Sequence, residues 1–435
     1  MKKKLLAVIL ATTMIASLTA CGGSSNSGGS DGGSSDGGSA SSGVSITIFN
    51  SKSEIQDQFE EMVKEYSDAT GVDVEVYYSS DTVAAHMATR YSANDPYTIA
   101  MVDAKDVYSL GEEHAADLSD QEWVKNTDYA ISVNGKVVGF PVCIEARGVM
   151  YNGDAIEAIT GEPFNPEAYA TLDAFEGLLA QLAAGGMEAP TGIMKEDWSM
   201  GAHYLCQVYE ERDDVDGYIE KLHAGGSGTL ADDAKWHSLM DTFDVLKQYN
   251  YAASSPIAAE REVSEQKLAE GEIAFMFGGN WDWSLIKDFD YSDNMGMMPV
   301  PQNMTDGTNS KLVGGGSKYF FIDSSDNTSD EQRQAAKDFL NWLVFEEDGN
   351  TFLTEDCALV PAFSNINAES LDPLSISVKQ YADAGSLIPN YDYLPDDHYS
   401  ICGASFQKYL ADQIDRAGLA DEIENYWAST TPVEH

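Results

Sequence analysis

The chain has 435 residues, with 72 Asp plus Glu against 25 Lys plus Arg and a formal net charge of −47. That balance argues against a nucleic-acid partner, which needs clustered Lys and Arg facing phosphates, and against a basic face that docks on anionic lipid. Hydrophobic residues make up 43% and aromatics 10%, so the chain is not a disordered acidic polymer, and its length implies two or three domains' worth of core.

Residues 1–20 read as an export signal. Lys2, Lys3 and Lys4 form a charged start, and Leu5 to Ile15 form a mostly apolar stretch too short for a transmembrane helix. The end of this segment, Leu18-Thr19-Ala20-Cys21, resembles a bacterial lipoprotein lipobox. That resemblance implies a diacylglyceryl group on Cys21 and a cut just before it. Residues 22–43 are Gly and Ser interrupted by Asn26, Asp31, Asp36 and Ala40. Such a segment reads as a flexible coil with an r.m.s. span of roughly 25–28 Å. The folded part is expected over residues 44–435. Its four cysteines, Cys143, Cys206, Cys357 and Cys402, lie far apart and follow no metal-ligand spacing. Buried free thiols and one disulfide are both compatible with this spacing.

Val44 to Phe49 alternates as a strand, and Asn50 to Ser53 follows as a turn and helix cap. Ile55, Phe59, Met62, Val63 and Tyr66 recur at helical spacing, and Gly71 ends that helix. Val72 to Tyr78 is a second strand, which makes a βαβ opening and a parallel sheet. Tyr97 to Asp103 is a further buried strand ending in an acid, and Lys136 to Pro141 and Ile144 to Asn152 read as a strand pair. Residues 153–275 turn helical in the windows Leu172 to Ala184, Met200 to Tyr209 and Trp236 to Tyr249. Ile273 to Phe277 is a strand before Gly278-Gly279-Asn280-Trp281. Met295 to Val300, Gly314 to Ser317 and the strand Lys318 to Ile322 follow, and the rest from Ser329 is mostly helix. The pattern is α/β, with more helix than one compact domain holds.

Two segments carry a family resemblance. One runs Phe140-Pro141-Val142-Cys143-Ile144-Glu145-Ala146-Arg147-Gly148-Val149-Met150-Tyr151-Asn152. The other runs Gly271-Glu272-Ile273-Ala274-Phe275-Met276-Phe277-Gly278-Gly279-Asn280-Trp281-Asp282-Trp283. With Met298-Pro299-Val300-Pro301 and Gly314-Gly315-Gly316-Ser317, they make the chain resemble the solute-binding proteins of bacterial ABC importers, in particular the sugar-binding group related to maltose-binding protein. The resemblance implies a two-lobed periplasmic-binding-protein fold with a hinge and an interlobe cleft. Lobe one is expected over 44–150 and 284–328, and lobe two over 151–283 and 329–435. Crossings near Glu145 to Met150, Trp281 to Leu285 and Ile322 to Ser329 are expected to act as hinges.

Sugars need flat apolar platforms for their CH faces and fixed polar groups for their hydroxyls. Trp281 is the first platform candidate, set after two glycines that let backbone approach a ligand closely. Glu145 is an acid on an apolar strand and must face water, a partner or a ligand; a salt bridge to Arg147, on the same side of the strand, is the competing reading. Asp103, Ser51 and Lys52 follow carboxyl ends of strands, where open α/β sheets bind ligands. Asn280, Asp197 and Trp198 join the site through the resemblance. Trp283 is expected inside. No nucleophile elbow, His-Glu-x-x-His or phosphate loop occurs in the sequence, so the expected function involves no covalent chemistry, no cofactor and no metal. The expectation is an exported monomer, lipid-anchored through Cys21 to the outer face of the cell membrane, which passes a carbohydrate to permease subunits. A binding protein for a polyamine, peptide or metal chelate remains open at this point, as does a secreted acidic glycosidase.

Overall fold

The computed structural model describes residues 43–433 apart from 80, 226–227 and 369. The export signal, Cys21 and almost all of the Gly/Ser stretch lie outside the described residues. Two six-stranded sheets organise the molecule.

The first sheet uses β1 (Ser45–Asn50), β2 (Asp73–Tyr78), β3 (Ile99–Asp103), β4 (Ile131–Val133), β5 (Lys136–Pro141) and β11 (Lys318–Ile322), in the order β2-β1-β3-β11-β5-β4. β1 runs parallel to both β2 and β3, as a βαβ opening requires. β11 returns antiparallel between β3 and β5. The connecting helix Gln56–Thr70 buries Phe59, Met62, Val63 and Tyr66 and stops at Gly71, whose φ of 75° a side chain would disfavour. Strand alternation sends Ile46 and Ile48 into one core and Phe49 into another on the opposite face.

The second sheet uses β6 (Ile144–Asn152), β7 (Thr191–Gly192), β8 (Phe275–Gly279), β10 (Leu312–Gly316) and β12 (Leu387–Ile388), in the order β12-β10-β6-β8-β7, with β9 (Met295–Met298) also on β6. β6 is its spine, antiparallel to β8, β9 and β10. Gly148 makes this possible: a Cβ there would stand 2.4 Å from the Met298 carbonyl oxygen. Val149 and Met150 point into different cores, so the sheet is covered on both faces.

The register moves several segments from their expected lobes. β9 and β10, expected with lobe one inside 284–328, belong to the second sheet because they pair with β6. β6 itself, expected at the end of lobe one, is that sheet's centre. Helix Asp330–Phe345, expected in lobe two, packs on the first sheet, with the Phe339 ring 5.1 Å from Tyr66 and 6.4 Å from Phe320. Helix Pro373–Asp383 returns to the second sheet, where Ser377 Oγ accepts from the Met297 amide at 3.1 Å. The chain therefore changes sheets at Val142-Cys143, again at Ser317, and a third time between Phe352 and Pro373. The expected crossings at Trp281 to Leu285 and Ile322 to Ser329 stay within one lobe. Helical and strand periodicity locates elements, but it carries no information on which sheet a strand joins.

Cys143, Cys206 and Cys402 are buried and Cys357 is partly buried, all as free thiols. Among the described residues no helix is long and apolar enough to cross a membrane.

Candidate binding cleft

A cavity of about 580 Å³ opens where the chain passes between the sheets. Six of the eight expected ligand-contacting residues line it: Ser51, Lys52, Asp103, Glu145, Trp198 and Trp281.

Ser51 and Lys52 sit in the turn after β1. Asn50 shapes that turn: its Oδ1 accepts from the Lys52 amide at 2.8 Å, and its Nδ2 donates to the Lys52 carbonyl at 3.0 Å. The Ser51 hydroxyl is buried and finds no partner among the described residues. Lys52 is 3% exposed and bridges Glu145 at 2.6 Å and Glu54 at 2.8 Å. Burial alone would lower the Lys52 ammonium, but the two carboxylates outweigh it and hold the pKa well above the usual lysine value. Burial likewise raises the Glu54 carboxyl, yet Lys52 wins and brings it to about 2. Glu145 also accepts from the Ser317 hydroxyl, so the residue at one crossing is tied to the acid beside the other. Its partner is therefore Lys52 rather than Arg147. Arg147 lines the cavity too, but it pairs with Glu210 and donates to Asn390 Oδ1 at 2.7 Å.

Asp103 closes β3 and pairs with Lys318, the first residue of β11, at 2.5 Å. Burial acts to raise its carboxyl, and Lys318 reverses that to a net lowering. Lys318 faces Asp103 because β11 runs antiparallel to β3 in that register.

The opposite side of the cavity is aromatic. Trp198 begins a π-helical segment, Trp198–Tyr204, clamped to helix His398–Leu410. Close backbone approach requires glycine on both sides: a Cβ on Gly201 would meet the Tyr399 carbonyl at 2.4 Å, and one on Gly403 the Asp197 carbonyl at 2.3 Å. Arg261, held by Glu265 at 2.8 Å and Asp282 at 2.5 Å, lies 5.4 Å from the Trp198 ring centre. His203 stands 5.3 Å from Trp198 and 4.8 Å from Trp281. Burial, then Arg147 and Arg261, keep His203 neutral by lowering its pKa well below the histidine range.

The glycine pair before Trp281 has a use within the chain. A Cβ on Gly279 would collide with the Trp281 six-membered ring at 2.3 Å, and one on Gly278 with the Asp282 carboxylate at 2.2 Å. The glycines leave room for the chain's own indole and carboxylate. The Gly279 amide donates to Asp282 Oδ2 at 3.0 Å, which fixes the turn.

Asn280 and Asp197 do not line this cavity. Asn280 is 7% exposed, and its Oδ1 accepts from the Ala146 amide at 3.0 Å, between the two cavity residues Glu145 and Arg147. Asp197 Oδ1 accepts from the Trp198 amide at 2.8 Å. Both hold backbone that carries a lining residue. Trp283 is buried in the core, as expected. Sequence reasoning missed Lys318, His203, Arg261, Glu210 and Asp392 as lining residues. For Lys318 and Arg147 a signal existed, because each stands in or beside a segment that carried the resemblance. Asp392, Glu210 and Arg261 reach the cavity only through tertiary packing. Among the described residues no group of three His, Cys, Asp or Glu is arranged to hold a metal ion.

Two sheets, three crossings and a cavity at the crossings define a two-lobed binding protein. Residues 61–384 match the family of bacterial extracellular solute-binding proteins, and the chain belongs to that family. Among solved structures, it is similar to the solute-binding protein RafE in complex with raffinose, with a TM-score of 0.72 at 19% identity over 88% of this chain and 99% of that one. The ligand-free form of RafE from Streptococcus pneumoniae gives a TM-score of 0.71 at 18% identity, covering 90% of this chain and 98% of that one. A binding protein from Bacillus subtilis in an open conformation gives 0.71 at 19% identity, with 88% and 96% covered. At such identities the likeness establishes the fold: α/β, in two lobes.

Proposed function

We propose that this chain is the substrate-binding lipoprotein of an ABC importer, which captures a carbohydrate, an oligosaccharide in size, between its lobes and delivers it to the membrane permease. The observation that carries this reading is the cavity's division into indole faces, Trp198 and Trp281, and fixed polar groups, Ser51, Lys52, Asp103 and Glu145. Indole faces suit the CH faces of sugar rings, and polar groups discriminate hydroxyl patterns: Lys52, Asp103 and Glu145 are held in place by partners, and the buried Ser51 hydroxyl has none among the described residues. Solved structures of the same fold include complexes with raffinose, stachyose and mannotriose. Capture by this cleft needs no covalent step and no cofactor.

A thermal-shift screen tests the reading. At least one of raffinose, stachyose, mannotriose or chitin oligosaccharide should raise Tm in a concentration-dependent way, following RT ln(1 + [L]/Kd). Stabilisation by polyamines or peptides, with none from sugars, overturns it. Exposure to the cell exterior follows from the family. The anchor rests on Leu18-Thr19-Ala20-Cys21 and the Gly/Ser stretch after it, since two acyl chains suffice for stable attachment. Cys21→Ala should release the protein from membranes of permease-deficient cells without changing ligand affinity. Retention of the variant in the membrane fraction would refute the anchor.

A further inference from the structure

Residues 390–397 form a strap rooted in one lobe and touching the other. At the root, Asn390 accepts from Arg147, and the Tyr391 amide donates to Glu210 Oε1 at 2.9 Å. At the tip, the Tyr393 ring lies 4.9 Å from Tyr108 on helix Ala104–His114, and Asp396 pairs with Lys105 of that helix at 2.9 Å. Between root and tip, Asp392 lines the cavity.

The cavity's charges are already committed, with one exception. Its five cationic side chains each hold a carboxylate: Lys52 with Glu145, Lys105 with Asp396, Arg147 with Glu210, Arg261 with Asp282 and Lys318 with Asp103. Asp392 makes no ion pair and no side-chain hydrogen bond among the described residues. The groups around it are Asp103 at the end of β3, Tyr108, Tyr319 on β11, Arg147 on β6, Glu210 and its neighbour Tyr393. Burial first, then Glu210 and Asp103, push its carboxyl to about 7, against the pull of Arg147.

We infer that Asp392 is a specificity-determining ligand contact, whose carboxylate accepts hydrogen bonds from hydroxyls of the bound sugar. The inference rests on the carbohydrate reading above. The Asp392 carboxylate is half-buried and has no protein donor among the described residues, so its hydrogen bonds fall to whatever fills the cavity. A ligand hydroxyl pair supplies the donors this wall lacks, one to each oxygen. The protonated acid offers a donor of its own and loses acceptor capacity, so proton and ligand compete for the same group. Affinity should therefore fall roughly tenfold for each pH unit below about 7 and level off above it. Asp106, pushed to about 6 by burial and Asp103, lies behind the cavity wall and titrates nearby, so substitution at Asp392 must separate the two.

The test is calorimetry with mannotriose, raffinose, stachyose and chitin oligosaccharide between pH 5.5 and 8.5, in buffers of different ionisation enthalpy. The wild-type protein should bind more tightly as pH rises to about 7 and should release a proton on binding near pH 6. Asp392→Asn should bind more weakly, with a flat profile and no proton release, and Asp392→Glu should restore the slope. A flat wild-type profile, or an unchanged slope in Asp392→Asn, overturns the inference. Should Asp392→Asn fail to fold, Asp392→Ser takes its place with the same expected loss of slope and of proton release, and an unchanged slope there overturns the inference. If the wild-type protein binds no sugar at any pH, the carbohydrate reading falls and takes this inference with it, an outcome distinct from sugar binding without a pH slope.

Discussion

The two sides of the cavity are built on opposite plans. On the side of the first sheet, charged groups neutralise one another in place: Lys52 binds Glu54 and reaches across to Glu145 on β6, and Lys318 binds Asp103. On the other side, Trp198 and His203 pack edge to face and Trp281 lies tilted on His203; backbone contact through glycine supports them, and Arg261, paired with Asp282 and Glu265, lies beside Trp198. The first plan gives directed hydrogen bonds at fixed points, and the second gives apolar area with little directional demand. One wall therefore sets which hydroxyls fit, while the other sets how much ring surface is covered.

The largest way to break this contrast is Lys52→Met. It leaves Glu145, with a side chain 11% exposed, without its cation. Removing one partner of a buried pair costs about 3–5 kcal/mol, to be read from urea unfolding at pH 7. A loss under about 1 kcal/mol would place the pair among ordinary surface bridges. Trp281→Ala comes next. It should leave the fold intact by circular dichroism and weaken binding by about 2–4 kcal/mol, or about thirtyfold to a thousandfold. The loss should be similar for sugars differing at one hydroxyl. If binding is unchanged, Trp281 is wall and not platform. Glu145→Gln should cost less, about 1.5–3 kcal/mol, and unequally among such sugars, because Lys52 and Ser317 hold that carboxylate in one orientation. Equal losses across the series would erase the distinction between the walls. The smallest effect is acid sensitivity. Glu54 is lowered from 4.5 to about 2, so its contribution to stability is present above 4.5 and disappears as pH falls through about 2. Unfolding midpoints between these pH values should drop less steeply for Glu54→Gln than for the parent. Parallel curves would mean that Lys52 and Glu54 do not interact appreciably.

Much of the polar wall was legible in the sequence. Ser51, Lys52 and Asp103 follow strands whose periodicity is plain, and the ends of parallel strands are where ligands bind. Glu145 stood out as an acid in an apolar run. What escaped is whatever depends on pairing between distant segments. Nothing in Gly314-Gly315-Gly316 says that it lies on β6 rather than in the first sheet, yet that choice decides the lobe boundary. Asn280 looked like a neighbour of Trp281 in the site. Only the fold reveals that its side-chain oxygen accepts from the Ala146 backbone. Asp392 gave no local signal, because its isolation comes from the pairing of every cation around it.

The passage from β10 to β11 is a single residue, Ser317. Its hydroxyl bonds Glu145, and the next residue, Lys318, bonds Asp103. The joint between the two halves is thus made of the same atoms that face the cavity. Lys318 and Asp103 belong to the same sheet and move together, so a rotation of one sheet against the other turns at Ser317 and its bond to Glu145 on β6, and re-aims Glu145 against Lys318 and Asp103. Grip and posture are one mechanical variable in such a design. A variant at Ser317 or Lys318 selected for a new ligand would inherit a new resting angle, and one selected for a new angle would inherit an altered taste.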